Sequence, residues 1–139
     1  MSLRFLLDTN ILSEPTRQHP HPIVMAKLQQ YEGEIATSTT AWHELLFGCE
    51  RLVNSQKRRF LERYLNEIVR PNIPILPYDV DAAAWHAVER ARLMSIGKTP
   101  SFADGQIAAV AKVNGLMIVT NNVSDYDNFS ALQIENWFE

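Results

Sequence analysis

Arg4-Phe5-Leu6-Leu7-Asp8-Thr9-Asn10-Ile11-Leu12 is the stretch that decides the fold. Phe5, Leu6 and Leu7 form a short apolar run with no polar alternation, the pattern of a strand covered on both faces, as in a parallel sheet. Asp8 follows at the carboxyl end of that strand, where open α/β sheets place their ligands. Asn10 is expected to cap the helix that Ile11 and Leu12 begin. Taken alone, Asp8 could equally be a turn residue. Its meaning depends on whether other carboxylates occur at equivalent places.

The rest of the chain repeats the alternation of strand and helix. A helix is predicted from Ile23 to Tyr31, a strand over Ile35–Ser38, and a helix opened by Thr39 or Thr40 with Trp42, Leu45, Leu46 and Cys49 on its core face. Glu44 is placed in the first turn of that helix, where a carboxylate meets the positive end of the helix dipole. Gln56 to Val69 reads as one amphipathic helix buried along Phe60, Leu61, Tyr64, Leu65 and Ile68, and closed by Pro71 and Pro74. Its basic residues Lys57, Arg58, Arg59 and Arg63 read as a solvated face, with RNA phosphates as the alternative contact. Ile75-Leu76 is a brief third strand.

Asp79 caps a helix to about Ile96, whose expected packing face is Val80, Ala83, Ala84, Ala87, Val88, Ala91 and Met94; His86 reads as a core or surface residue. Ser101 and Asp104 resemble a capping box opening the next helix, which ends at Asn114-Gly115. Leu116-Met117-Ile118-Val119 is a second buried strand, followed by Thr120, Asn121, Asn122 and Asp125, the same arrangement as at Asp8. A tail with Phe129, Leu132, Ile134, Trp137 and Phe138 is expected to supply an edge strand and a packing anchor.

Length and composition bound the answer. The chain has 139 residues, 46% of them hydrophobic, which suits one domain over residues 1–139. A net charge of -3 excludes a generic basic nucleic-acid binder. No apolar run approaches the roughly 20 residues needed to span a bilayer. No signal peptide is apparent, and the single cysteine, Cys49, suits a reducing cytoplasm. His19 and His21 stand in a proline-bounded loop and read as linker. His43-Glu44 lacks the second histidine of a zinc-protease helix, since Phe47 stands there.

The expected architecture is therefore a three-layer α/β/α sandwich around a mainly parallel sheet of about five strands. Asp8 and Asp125 follow strand ends, while Glu44 and Asp104 sit on helices that start from the same edge. Four carboxylates would converge there. Two unit charges about 4 Å apart repel by roughly 4 kcal/mol at an effective dielectric of 20. Shared protons or a divalent ion must relieve that repulsion. The candidate ligands Asp8, Glu44, Asp104 and Asp125 offer only oxygen, which favours Mg²⁺, with Mn²⁺ as a substitute, over Zn²⁺. Asn10, Thr120 and Asn122 are placed to orient them. Such a site suits phosphodiester hydrolysis.

These residues resemble the PIN-domain ribonucleases. Asp8-Thr9-Asn10 is similar to their opening motif, and Glu44 with Leu45 and Gly48 to their second. Gly97, Pro100, Asp104, Ile107, Ala108 and Ala109 resemble the third, and Gly115-Leu116, Ile118-Val119-Thr120, Asn122 and Asp125 the last. Length and motif order resemble the VapC toxins of bacterial toxin–antitoxin pairs. The resemblance implies a Mg²⁺-dependent endoribonuclease, usually a homodimer, silenced by a VapB-type antitoxin whose tail enters the acidic pocket. It assigns Asp8, Glu44, Asp104 and Asp125 as the acidic set, with Asp127 the alternative to Asp125. Many relatives carry Arg where Asn121 stands. The paired Asn121-Asn122 and the Trp-bearing tail resemble the subgroup that cuts initiator tRNA in its anticodon loop. A receiver domain, which acts through phosphorylation and partner binding, needs adjacent acids after the first strand and a late Lys; neither is present. A haloacid-dehalogenase phosphatase needs Asp at position 10. A catalytically silent PIN module that only binds a partner is the remaining alternative.

Overall fold

The computed structural model describes residues 2–139. Five strands form one sheet in the order β3-β2-β1-β4-β5, and every paired neighbour is parallel. They are β1 (Phe5–Leu7), β2 (Ile35–Ser38), β3 (Ile75–Leu76), β4 (Met117–Val119) and β5 (Ile134–Glu135). Helices α1 (Thr9–Ser13), α2 (Pro22–Gln30), α3 (Thr39–Glu50), α4 (Gln56–Arg63), α5 (Arg70–Asn72), α6 (Val80–Ser95) and α7 (Phe102–Val113) link them.

The sheet separates two apolar cores, because successive side chains of a strand point to opposite faces. Phe5, Leu7, Ile35 and Val119 pack on one side with Val24, Cys49, Leu65 and Trp137. Leu6, Ala36 and Ile118 pack on the other with Leu93, Ile107, Ala108 and Ala111. Leu6 and Leu7 are fully buried, as a strand with helices on both faces requires. Trp137, also fully buried, anchors the tail by an edge-on contact with Phe5, ring centroids 5.2 Å apart. The expected three-layer parallel sandwich is what the chain forms.

Several local expectations are corrected. Asp8, rather than Asn10, caps α1, its Oδ1 accepting from the Thr9 amide at 2.8 Å. Ser38, rather than Thr39 or Thr40, caps α3, its hydroxyl accepting from the Ala41 amide at 3.1 Å. The predicted helix Gln56–Val69 keeps α-helical form only to Arg63, and Tyr64–Val69 is a π-helical segment. Wider winding shifts the phase of the side chains. Leu65 and Val69 are buried, whereas Phe60 and Ile68, expected on the buried stripe, are exposed. Pro71 lies inside α5 instead of closing the helix.

On α6 the buried residues are Ala82, His86, Glu89 and Leu93, so Val80, Val88 and Met94 face outward. Glu89 is tolerated on the buried face because its carboxylate is fully hydrogen-bonded. Arg92 donates to both Glu89 oxygens at 3.0 Å, and the Ser130 amide donates to Oε1 at 2.6 Å. No helix among the described residues is long and apolar enough to cross a membrane.

Candidate active site

The register of β1 against β4 builds the site. Leu7 pairs with Val119, and the Asp8 amide donates to the Val119 carbonyl at 3.0 Å, which sets Asp8 beside Thr120 at the carboxyl edge of the sheet. Asp8 is 7% exposed. Its Oδ1 caps α1. Its Oδ2 accepts from the Thr120 hydroxyl at 2.9 Å, the Tyr126 hydroxyl at 3.1 Å and Asn10 Nδ2 at 3.3 Å. Asn10 Nδ2 also donates to the Thr120 hydroxyl at 3.2 Å, and its Oδ1 accepts from the Asn121 amide at 3.0 Å. Asn10 and Thr120 are thus both hydrogen-bonded to the Asp8 carboxylate. The Asn122 backbone amide donates to the Thr120 hydroxyl at 3.0 Å.

Glu44 reaches the site from α3, where its Oε1 accepts from the Thr9 hydroxyl at 3.2 Å. Because Ser38 is the cap, Glu44 lies in the second turn of α3, beyond the orphan amides of the helix start. The helix-dipole reading of Glu44 therefore falls away, and its orientation toward Thr9 remains. Asp104 lies in the first turn of α7, its amide held by the Ser101 hydroxyl at 3.1 Å. Its carboxylate turns instead toward Tyr126, Oδ1 standing 3.4 Å from the hydroxyl. Thr40 donates to Gln106 at 3.2 Å, tying α3 to α7 beside the acids.

The electrostatics show the crowding. Burial raises the Glu44 carboxyl above its ordinary value; the Thr9 bond partly offsets this, and the Asp8 and Asp104 charges add to it. Asp104 is raised for the same first reason, with Ser101 and Tyr126 opposing and Asp125 and Asp8 repelling. Burial, and then the neighbouring acids, push the Tyr126 phenol far above its usual range. Asp125 is exposed, in the single-turn helix Val123–Asp125, and shares with Asp104 a cavity of about 400 Å³ that Lys98, Ser101 and Asn128 also line. Its charge reaches Asp104.

All the donors are carboxylate, hydroxyl or amide oxygens, and among the described residues no Lys or Arg pairs with Asp8, Glu44, Asp104 or Asp125. Uncompensated, mutually repelling oxygen ligands fit a hard divalent cation. No three of these side chains stand close enough to one point to ligate an ion as they are, among the described residues; Asp8 Oδ2 is turned inward to Thr120 and Tyr126.

Tyr126 and Thr9 are the site residues that the sequence reading passes over. Thr9 lies within the opening motif, and Tyr126 lies between two aspartates that draw attention from it. Of the basic residues on α4, Arg58 is committed to Glu50 and Glu62 at 2.9 and 2.8 Å. Lys57 and Arg51 instead line a cavity of about 260 Å³ that opens beside Glu44.

Comparison with known proteins agrees with this architecture. The family model for the PIN domain matches residues 5–130. The toxin FitB of Neisseria gonorrhoeae is 36% identical over 124 residues, covering 87% of this chain and 89% of FitB. The tRNA(fMet)-specific endonuclease VapC of Shigella flexneri is 29% identical over 136 residues, covering 97% and 98%. The solved structure of FitAB bound to an IR36 DNA fragment superposes with a TM-score of 0.89 at 30% identity, over 97% of this chain and 96% of that one. With a family model across nearly all of the sheet and its helices, and a relative this similar along most of its length, the chain belongs to the PIN-domain family.

Proposed function

We propose that this chain is the toxin of a type II toxin–antitoxin pair and acts, as a single domain over residues 1–139, as a Mg²⁺-dependent endoribonuclease, with Mn²⁺ able to substitute. One observation carries the reading: Asp8, buried and held by four neutral donors, stands with Glu44, Asp104 and Asp125 at one sheet edge, and among the described residues no Lys or Arg forms an ion pair with any of them. These four carboxylates would hold the ion. A bound divalent ion supplies Lewis-acid activation of water and neutralises charge on the phosphate.

The protein's own residues supply placement. Asn10 and Thr120 fix the Asp8 carboxylate, and Thr9 fixes Glu44. Lys57 and Arg51, beside Glu44, offer phosphate contacts for a strand entering the site. Relatives named as a toxin and as a tRNA(fMet)-specific endonuclease support RNA as substrate and make initiator tRNA the first to try. A single-stranded anticodon loop also suits a site whose reacting atoms lie in an open cleft. Similar solved structures of FitAB and VapBC complexes support a VapB-type antitoxin partner, and the reading includes a homodimer acting in the bacterial cytoplasm.

The test is cleavage of end-labelled initiator tRNA and bulk RNA, in Mg²⁺ and in EDTA, by wild type and Asp8→Asn. Wild type is expected to cut only with the ion, and Asp8→Asn to lose more than about a hundredfold, since loss of a ligand exceeds loss of a supporting group. Equal cutting in EDTA, or full activity in Asp8→Asn, removes the proposal. In cells, expression without an antitoxin is expected to stop growth, and Asp104→Ala to relieve the arrest.

A further inference from the structure

We propose that the Tyr126 hydroxyl is the positioning group that spaces Asp8 and Asp104 and thereby tunes how tightly the site takes a divalent ion; this rests on the metal-dependent reading above. Tyr126 is fully buried and follows the Val123–Asp125 turn, its ring 6.5 Å from that of Phe129. Burying a whole tyrosine is unremarkable. Its polar end is not spent on the backbone, however, but stands between two acids from different elements: Asp8 Oδ2 at 3.1 Å, past the end of β1, and Asp104 Oδ1 at 3.4 Å, in the first turn of α7.

A phenol has one proton and two carboxylates compete for it. At any moment one acid accepts the hydrogen while the other faces an oxygen, so the hydroxyl acts as a neutral spacer whose bond can pass from one to the other. Without it, β1 and α7 have no direct side-chain link between their two acids. Asp8 would keep the Thr120, Asn10 and Thr9 bonds. Removing only the oxygen should therefore spare the fold and loosen the ligand geometry. Groups that support ligating carboxylates typically change affinity by about 10- to 100-fold when lost.

Tyr126→Phe isolates the oxygen. The probe is Mn²⁺, titrated into wild type, Tyr126→Phe and Asp8→Asn without RNA and read by electron paramagnetic resonance of the free ion. The proposal expects Tyr126→Phe to bind about tenfold more weakly. Thermal unfolding in EDTA should stay close to wild type. In the cleavage assay, the Mn²⁺ activation midpoint should rise by a similar factor, while the rate at saturating Mn²⁺ returns to within a few-fold of wild type. A merely structural hydroxyl would give no such rescue. Wild-type Mn²⁺ affinity in Tyr126→Phe overturns the proposal, and so does unfolding of Tyr126→Phe in EDTA, which would assign the hydroxyl to the fold. If Asp8→Asn binds Mn²⁺ as tightly as wild type, it is the metal-dependent reading that fails.

Discussion

Asp8 and Glu89 are both carboxylates buried to 7% exposure or less, and both accept several hydrogen bonds, yet they lie in opposite electrostatic settings. Glu89 has a guanidinium on both oxygens and the Ser130 amide besides, and Arg92 continues to the Asn128 carbonyl at 2.8 Å. The Arg92 bond, more than offsetting burial, pulls the Glu89 carboxyl down to about 2. Asp8 has four donors and no charge among them, and among the described residues no Lys or Arg forms an ion pair with it. A satisfied carboxylate with its own cation fastens a loop to a helix. A satisfied carboxylate without one leaves room for a cation from solution. The difference separates an acid committed to the fold from one proposed to hold an ion, where burial alone does not.

Four measurements would break or sharpen that contrast. The largest effect is on chemistry: Asp8→Asn is expected to lose more than about a hundredfold in RNA cleavage while the chain stays folded in EDTA, because the Thr120 and Tyr126 hydroxyls can turn to accept from the new amide. Unfolding of that variant in EDTA would make Asp8 an ordinary structural acid. Glu89→Gln should do the reverse, costing about 2–3 kcal/mol in denaturant unfolding through the stranded Arg92 and Ser130 donors, with cleavage per folded molecule retained. Gly105→Ala tests how firmly the Asp104 turn is seated. A Cβ there would overlap the His86 ring, which Tyr78 holds from the other side at 2.8 Å, so a loss of about 2 kcal/mol is expected. Trimming His86 to Ala in the same chain should recover part of it.

The smallest effect is the pH dependence, and its sign differs between the two regions. Glu89 is depressed, so its contribution is complete above 4.5 and is lost as pH falls toward 2. Glu44 and Asp104 are raised, so the folded state holds their protons more tightly than the unfolded chain does. Stability falls as pH rises from their ordinary values of 4.5 and 3.8 through the raised folded values. Mg²⁺ should therefore lift the unfolding midpoint by a few degrees at neutral pH and much less at pH 4, read by thermal scans with and without the ion.

Much of the fold was legible because its signals are local. The uninterrupted Phe5-Leu6-Leu7 run, the Ile35–Ser38 strand and the Asp79 and Ser101 caps each depend on neighbours within a few residues. Asp8 and Asp125 stood out by the same route, as polar groups just past strand ends, whereas Glu44 and Asp104 stood out as acids early in helices. What escaped depends on distant partners. The outward turn of Val88 and Met94 follows from Glu89 finding the Ser130 amide 41 residues later. The exposure of Ile68 lies within a π-helical segment whose phase no 3.6-residue reading anticipates. Tyr126 meets an aspartate 118 positions away, and nothing in its own neighbourhood announces that contact.

The two oxygens of Asp8 have different employers: Oδ1 secures the first helix, and Oδ2 belongs to the cleft. An asparagine at this position keeps the first oxygen and forfeits only the second negative one. A lineage relieved of selection for cutting RNA can thus be silenced by a single-nucleotide change that leaves its shape, and any surface by which it is held by another protein, in place. Descendants retained only as decoys are expected to carry that asparagine, and not an alanine, at the end of the first strand.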